Sequence, residues 1–213
     1  MPEEPNKDPR IVSVVFEFSE HSQAVPLTEN EAIKYLLASL HGGPCQNLRR
    51  AFETMQSVKS YRRLIRNAAK VIDSPQEFRD RFHTAWTVEG FRWRDAVNND
   101  ALLSRALRAV LPAYVGVSQT LFRGELAARY DAGRLGFNWT PRRDVAEMFA
   151  SGLCSLYDGG GILLTANAPP TAIISSPGPH SKYLSEDEFV VESSLLTNVL
   201  ELVRYPKTWS SNA

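Results

Sequence analysis

At 213 residues, 43% of them hydrophobic, the chain is long enough to bury a substantial core without covalent staples. Lysine plus arginine equals aspartate plus glutamate at 24 each, so a net charge of zero gives no global reason for nucleic-acid or membrane binding, and nucleic acid is not expected as a partner. The two cysteines, Cys45 and Cys154, supply neither a disulfide framework nor a metal-ligand spacing, and no apolar run approaches the roughly 20 residues of a membrane span.

The polar start, Met1-Pro2-Glu3-Glu4-Pro5-Asn6-Lys7-Asp8-Pro9, lacks the apolar stretch of a secretory signal. A cytoplasmic location is expected, or delivery into a host cell without a classical signal. Ile11 to Phe18 has a strand's composition. Thr28-Glu29-Asn30-Glu31 is a capping-box pattern, and Ala32, Ile33, Leu36, Leu37 and Leu40 recur at helical spacing until Gly42-Gly43-Pro44 ends the run. The helical pattern continues from Asn47 to Ile72 and from Pro75 to about Ala96, with Phe78, Phe82, Ala85 and Trp86 on one stripe. A further short helix is expected from Asp100 to Val110, ended by Pro112.

Between Arg49 and Lys70 stand Arg49, Arg50, Lys59, Arg62, Arg63, Arg66 and Lys70 against one acid, Glu53. A solvated helix face is the first reading, and a surface for nucleic acid or an acidic partner the alternative. His21, His41, His83 and His180 are scattered without ligand spacing, so no metal site is expected.

At about Tyr114 short apolar runs begin to alternate with glycine- and proline-rich breaks, the pattern of a sheet of short strands. Strands are expected at Thr120 to Phe122, Gly136 to Thr140, Gly161 to Thr165, Ala172 to Ile174, Glu188 to Glu192 and Val199 to Arg204. Arg143 to Ser151 reads as a helix burying Val145, Ala146, Phe149 and Ala150. The fold class is therefore α+β: a mainly helical amino-terminal region, 1–112, packed on a carboxy-terminal sheet unit, 113–213. Whether these are two units or one continuous domain the pattern leaves open.

Three segments of the second half carry the chemistry: Leu121-Phe122-Arg123-Gly124-Glu125, Gly136-Phe137-Asn138-Trp139-Thr140, and Tyr183-Leu184-Ser185-Glu186-Asp187-Glu188-Phe189. In this order they resemble the arginine, serine/threonine, glutamate family of mono-ADP-ribosyltransferases, which includes clostridial-type toxins and eukaryotic ecto-enzymes. The resemblance covers about Tyr114 to Tyr205. It implies a split β-sheet unit that binds NAD as co-substrate, cleaves its nicotinamide bond and transfers ADP-ribose to an acceptor protein.

A guanidinium such as Arg123 can grip phosphate oxygens bidentately without losing its charge, and Gly124 beside it would let backbone approach a ligand. The resemblance places both in the NAD cleft, with Asn138, Trp139 and Thr140 also lining it. Thr140 would brace the catalytic glutamate and the nicotinamide ribose. Asn138 stands where the family's usual pattern has a first small hydroxyl, and an amide can still donate and accept. On a strand Glu186 and Glu188 would face the same way and Asp187 the other. By resemblance Glu188 stabilises the oxocarbenium-like ribose and Glu186 engages the nucleophile, expected to be arginine. Tyr183, in a turn-rich stretch from Ser175 to Ser185, matches the aromatic by which the family recognises its target.

Each feature also has a plainer reading. Arg123 alone would be an ion-paired arginine, Glu-x-Glu a charged strand start, Thr140 a cap for the following helix, and Trp139, Phe137 and Phe149 core. Two other functions use the same residues: NAD hydrolysis, and a catalytically silent binding module of the same fold.

Overall fold

A computed structural model describes residues 27–208, so the strand expected at Ile11 to Phe18 lies outside the described residues. The protein is α+β, with helices filling the first half and two small antiparallel sheets the second.

Helix α1 (Glu29–Leu40) begins with the expected capping box: the Thr28 hydroxyl accepts from the Glu31 N–H, and the Glu31 carboxylate accepts from the Thr28 N–H at 2.7 Å. Ala32, Ile33, Leu36 and Leu40 face the core, while Leu37 is half-buried. The single helical stretch expected from Asn47 to Ile72 is instead two helices, α2 (Leu48–Thr54) and α3 (Val58–Ala68). Its break is held from outside the segment. The Glu29 carboxylate takes the N–H groups of Ser57 and Gln56, at 2.7 and 3.0 Å, and the Ser57 bond foremost holds that carboxyl down at about 2. Ser57 then caps α3 by accepting from Ser60.

Helix α4 (Gln76–Val97) runs 22 residues and closes in a left-handed Asn98. Phe78, Phe82, Trp86 and Trp93 are buried along one side, and Phe52 of α2 stacks on Trp93 with ring centroids 5.9 Å apart. Helix α5 (Asp100–Val110) is capped by the Asn99 side chain.

The first sheet joins β1 (Gln119–Leu126), β3 (Gly161–Ala168) and β6 (Thr197–Tyr205) in the order β1-β3-β6. The second joins β2 (Asn138–Trp139), β4 (Ile173–Ser175) and β5 (Phe189–Val191) in the order β2-β5-β4. Between strands lie α6 (Ala127–Asp131), α7 (Arg143–Ser151) and α8 (Pro179–Tyr183). All six strands expected after Tyr114 occur, with β1, β3 and β6 longer than expected and β2 and β5 shorter. Helix α7 has the expected bounds and buries Val145, Ala146 and Ala150, whereas Phe149 is only half-buried.

Among the described residues one bridged pair links the two sheets: Phe122 and Thr140 exchange backbone hydrogen bonds of 2.7 and 2.9 Å. The helical half also meets the second sheet directly. Phe137, Ile174 and Val190 belong to the same buried apolar cluster as the aromatic residues of α2 and α4. Among the described residues no helix is long and apolar enough to cross a membrane.

Candidate active site

Arg123 sits mid-strand in β1, opposite Leu164 of β3, with its side chain largely buried. Its Nε donates to Glu125 Oε2 at 2.8 Å, and its Nη1 donates to the Asn138 carbonyl. The guanidinium lies against Gly136, whose N–H also donates to Glu125 Oε2 at 2.8 Å. Glu125 is 2% exposed, and its other oxygen accepts the Leu126 N–H at 3.0 Å. Burial alone would raise the Glu125 carboxyl; Arg123 and the Leu126 and Gly136 N–H groups outweigh it, and the net shift is downward. Arg123 in turn is raised, because the Glu125 carboxylate outweighs the burial that opposes its charge. A guanidinium has five N–H groups. The two bonds above engage one hydrogen on Nε and one on Nη1, so the Nη2 edge is not hydrogen-bonded among the described residues.

The Glu-x-Glu segment does not lie on a strand as expected. Strand β5 starts at Phe189, and Ser185 and Asp187 both have left-handed backbones, φ 57° and 49°. Side-chain alternation along a pleat therefore does not explain how the two acids meet; a sharply turned loop does. That loop is held by main-chain and hydroxyl contacts. The Thr140 hydroxyl donates to the Glu186 carbonyl at 2.6 Å and accepts from Arg142 N at 3.1 Å. Arg142 Nη1 donates to the Ser185 carbonyl at 2.7 Å. Buried Ser181 accepts the Glu188 N–H on its hydroxyl at 2.7 Å and the Glu186 N–H on its carbonyl at 2.9 Å.

Neither Glu186 nor Glu188 forms an ion pair among the described residues. The Glu188 carboxylate accepts one hydrogen bond, from Asn138 Nδ2 at 3.1 Å. Burial, and then the charge of Glu186, push the Glu188 carboxyl up to about 7, while Arg123 and Asn138 pull the other way. Burial also raises Glu186. Asn138 joins the groups: its carbonyl accepts from Arg123 and its side-chain amide donates to Glu188, while the neighbouring Trp139-Thr140 segment holds the backbone of Glu186, and the charges of Glu186 and Arg123 both act on Glu188.

Other expected site residues have narrower roles. Thr140 is buried and supports the loop through Glu186's backbone, so the side-chain contact to Glu188 comes from Asn138 instead. Thr140 also receives the N–H of Arg142, but Arg142 is itself the residue ahead of α7 and the helix has no side-chain cap, so Thr140 is not the helix cap of the plainer reading. Trp139 is 1% exposed, with its indole N–H on the Gly136 carbonyl at 3.0 Å. Its surface is packed in the core, in line with the plainer of its two readings. Gly124 serves a different approach from the one expected: a Cβ there would lie 2.5 Å from Ala146 O and Ala150 N, so the missing side chain makes room for α7. Tyr183 is 76% exposed at the end of α8, within the stretch expected to be a turn-rich loop.

Sequence reasoning missed Glu125, Ser181 and Trp86, whose Nε1 donates to Asn138 Oδ1 at 2.9 Å. Glu125 follows Arg123 by two residues on one strand face, a period-two signal that was available. The other two carry no local signal. Cys154 is near Arg123, but burial above all pushes its thiol up to about 11, away from reactivity. No cluster of metal-ligating side chains occurs among the described residues. A cleft of about 290 Å³ lies elsewhere, between the start of α5 and the turn after β5, lined by Asp100, Leu135, Phe137 and Glu192 among others.

Compared with models of known protein families, with curated proteins and with solved structures, the chain matches none.

Proposed function

We propose that the protein is an NAD-dependent mono-ADP-ribosyltransferase that uses Arg123, Glu186 and Glu188 and transfers ADP-ribose to an acceptor protein, on arginine. The observation that carries the reading is that Asn138 bonds both the Arg123 guanidinium and the Glu188 carboxylate, and that neither Glu188 nor Glu186, whose charge acts on it, has an ion-pair partner among the described residues. The family resemblance supplies the reaction class.

In this reading the hydrogens of Arg123 left without protein partners meet the pyrophosphate of NAD, while Glu125 and the Asn138 carbonyl keep the guanidinium plane fixed. The bond between the ribose C1′ and the nicotinamide nitrogen breaks, and its electron pair leaves with neutral nicotinamide. The resulting oxocarbenium carbon is stabilised by the Glu188 carboxylate. Glu186 holds the acceptor guanidinium by paired hydrogen bonds and takes the proton released as the new C–N bond forms. Exposed Tyr183 offers the acceptor a contact three residues earlier in the chain. When water replaces the acceptor, the same steps hydrolyse NAD.

Incubation of the full chain with labelled NAD and a host lysate tests the proposal. Labelled protein supports transfer, free ADP-ribose alone supports hydrolysis, and no NAD consumption refutes both. Glu188→Gln should abolish consumption with the fold intact. Glu186→Ala should suppress transfer while leaving hydrolysis, and equal loss of both would contradict the division of roles.

A further inference from the structure

Asn138 is the sole hydrogen-bond donor to the Glu188 carboxylate among the described residues, and an amide is an ambiguous donor. Turned about its last torsion, it presents an oxygen where its nitrogen had been. A hydroxyl at the same position would adjust itself; an amide needs an anchor. Trp86 provides one. An indole N–H can only donate, so the Asn138 atom 2.9 Å from Trp86 Nε1 must be the oxygen, and the atom 3.1 Å from Glu188 must be the nitrogen.

Trp86 lies on α4, in the helical half, and is itself closely held. It is 2% exposed, stands edge-on to Phe137 at 5.7 Å and to Trp93 at 5.9 Å, and is followed one turn later by Gly90. A Cβ at Gly90 would lie 3.0 Å from the Trp86 ring. Glycine in a helix interior costs roughly 1 kcal/mol relative to alanine. Seating the indole is what that glycine makes room for. On the same helix His83 lies against Gly178, just ahead of α8, so α4 touches both the residue that contacts Glu188 and the segment leading to it.

We propose that Trp86 is a positioning residue for the site: its indole N–H fixes the orientation of the Asn138 amide, which presents a donor to Glu188, so the helical half is part of the active centre. The inference rests on the proposed function only for its importance to catalysis; the relay itself is a property of the folded chain. Arg123 and Glu186 are the other charged groups acting on Glu188, and neither is hydrogen-bonded to Trp86 among the described residues.

The test is the titration of Glu188 in the full chain without NAD, followed by the carboxyl signal that Glu188→Gln removes. Trp86→Phe keeps an aromatic ring against Phe137 and removes only the N–H. It should lower the Glu188 ionisation constant about threefold to tenfold, because the donor is then present only part of the time. Asn138→Asp keeps the shape and the Trp86 bond but turns a carboxylate oxygen toward Glu188, and should lower the constant further. An unchanged titration in a folded Trp86→Phe protein overturns the proposal. Should that variant fail to fold, an unchanged titration in Asn138→Asp overturns it equally. NAD consumption measured in parallel separates the two ideas: a Trp86-dependent titration in a protein that never consumes NAD keeps the relay and removes the transferase, and consumption with a titration indifferent to Trp86 does the reverse.

Discussion

Glu188→Gln should stabilise the folded protein, and increasingly so as the pH rises. The folded carboxyl sits at about 7 against an ordinary 4.5, chiefly through burial and then through Glu186. A carboxyl raised on folding adds nothing unfavourable below the unfolded value, where both states are protonated. As pH climbs toward 7 the unfolded chain ionises and the folded one does not, so stability is lost, and the loss is complete above the folded value. A gap of about 2.5 units at 1.36 kcal/mol each is about 3 kcal/mol at pH 8.5, and solvent screening of this half-buried group brings it to about 2–3 kcal/mol. At pH 5 the same calculation leaves under about 1 kcal/mol. Glutamine matches the neutral acid in shape and can still accept from Asn138, so it escapes this loss at every pH. For a chain of this length the difference corresponds to a melting point higher by about 4–10 °C at pH 8.5. Thermal or urea unfolding of both proteins from pH 5 to pH 9 measures it. Parallel stability curves, or a variant less stable than the parent at pH 8.5, would refute the reasoning.

Arg123→Met leaves the buried Glu125 carboxylate with only backbone partners and should cost about 3–5 kcal/mol in urea unfolding; a cost below about 1 kcal/mol would show that Glu125 is solvated or protonated. Gly124→Ala forces a methyl group into the backbone of α7 and should destabilise by about 1–3 kcal/mol, whereas a wild-type melting point would mean that β1 and α7 separate freely. Since the ionised form of Glu188 is the one that stabilises a cationic sugar, kcat/KM for NAD should rise as pH climbs toward about 7, by up to about tenfold per unit, and level above it. A flat profile from pH 5.5 to 8 would place the working carboxylate elsewhere.

What could be read from the sequence was local. The capping box at Thr28, the bounds of α7 and the position of each strand after Tyr114 depend on neighbours within a few residues, and those expectations match the structure. The split between α2 and α3 did not show, because the group that holds it open is the Glu29 carboxylate 27 and 28 positions away. The site divides the same way. Motif order marked Arg123, Asn138 and Glu188, which do come together. How they do so lay beyond it: left-handed turns at Ser185 and Asp187 replace a regular strand, and Trp86 reaches Asn138 across 52 positions. Trp139 had two readings, cofactor contact by resemblance and core by its apolar bulk, and in β2 its side chain turns to the core.

Arg123 follows one partner of the Phe122–Thr140 bridge, and Thr140 is the other. Among the described residues these two backbone bonds are the one ladder step between the sheet that bears the guanidinium and the sheet whose loop bears the acids. The angle at which those halves meet is governed by the side chains wedged beneath the seam, where Leu121, Trp139, Ile162 and Val191 from both sheets interlock. Shaving any of these would alter the span between cation and carboxylates without touching a single polar group, so oil as well as charge sets that distance.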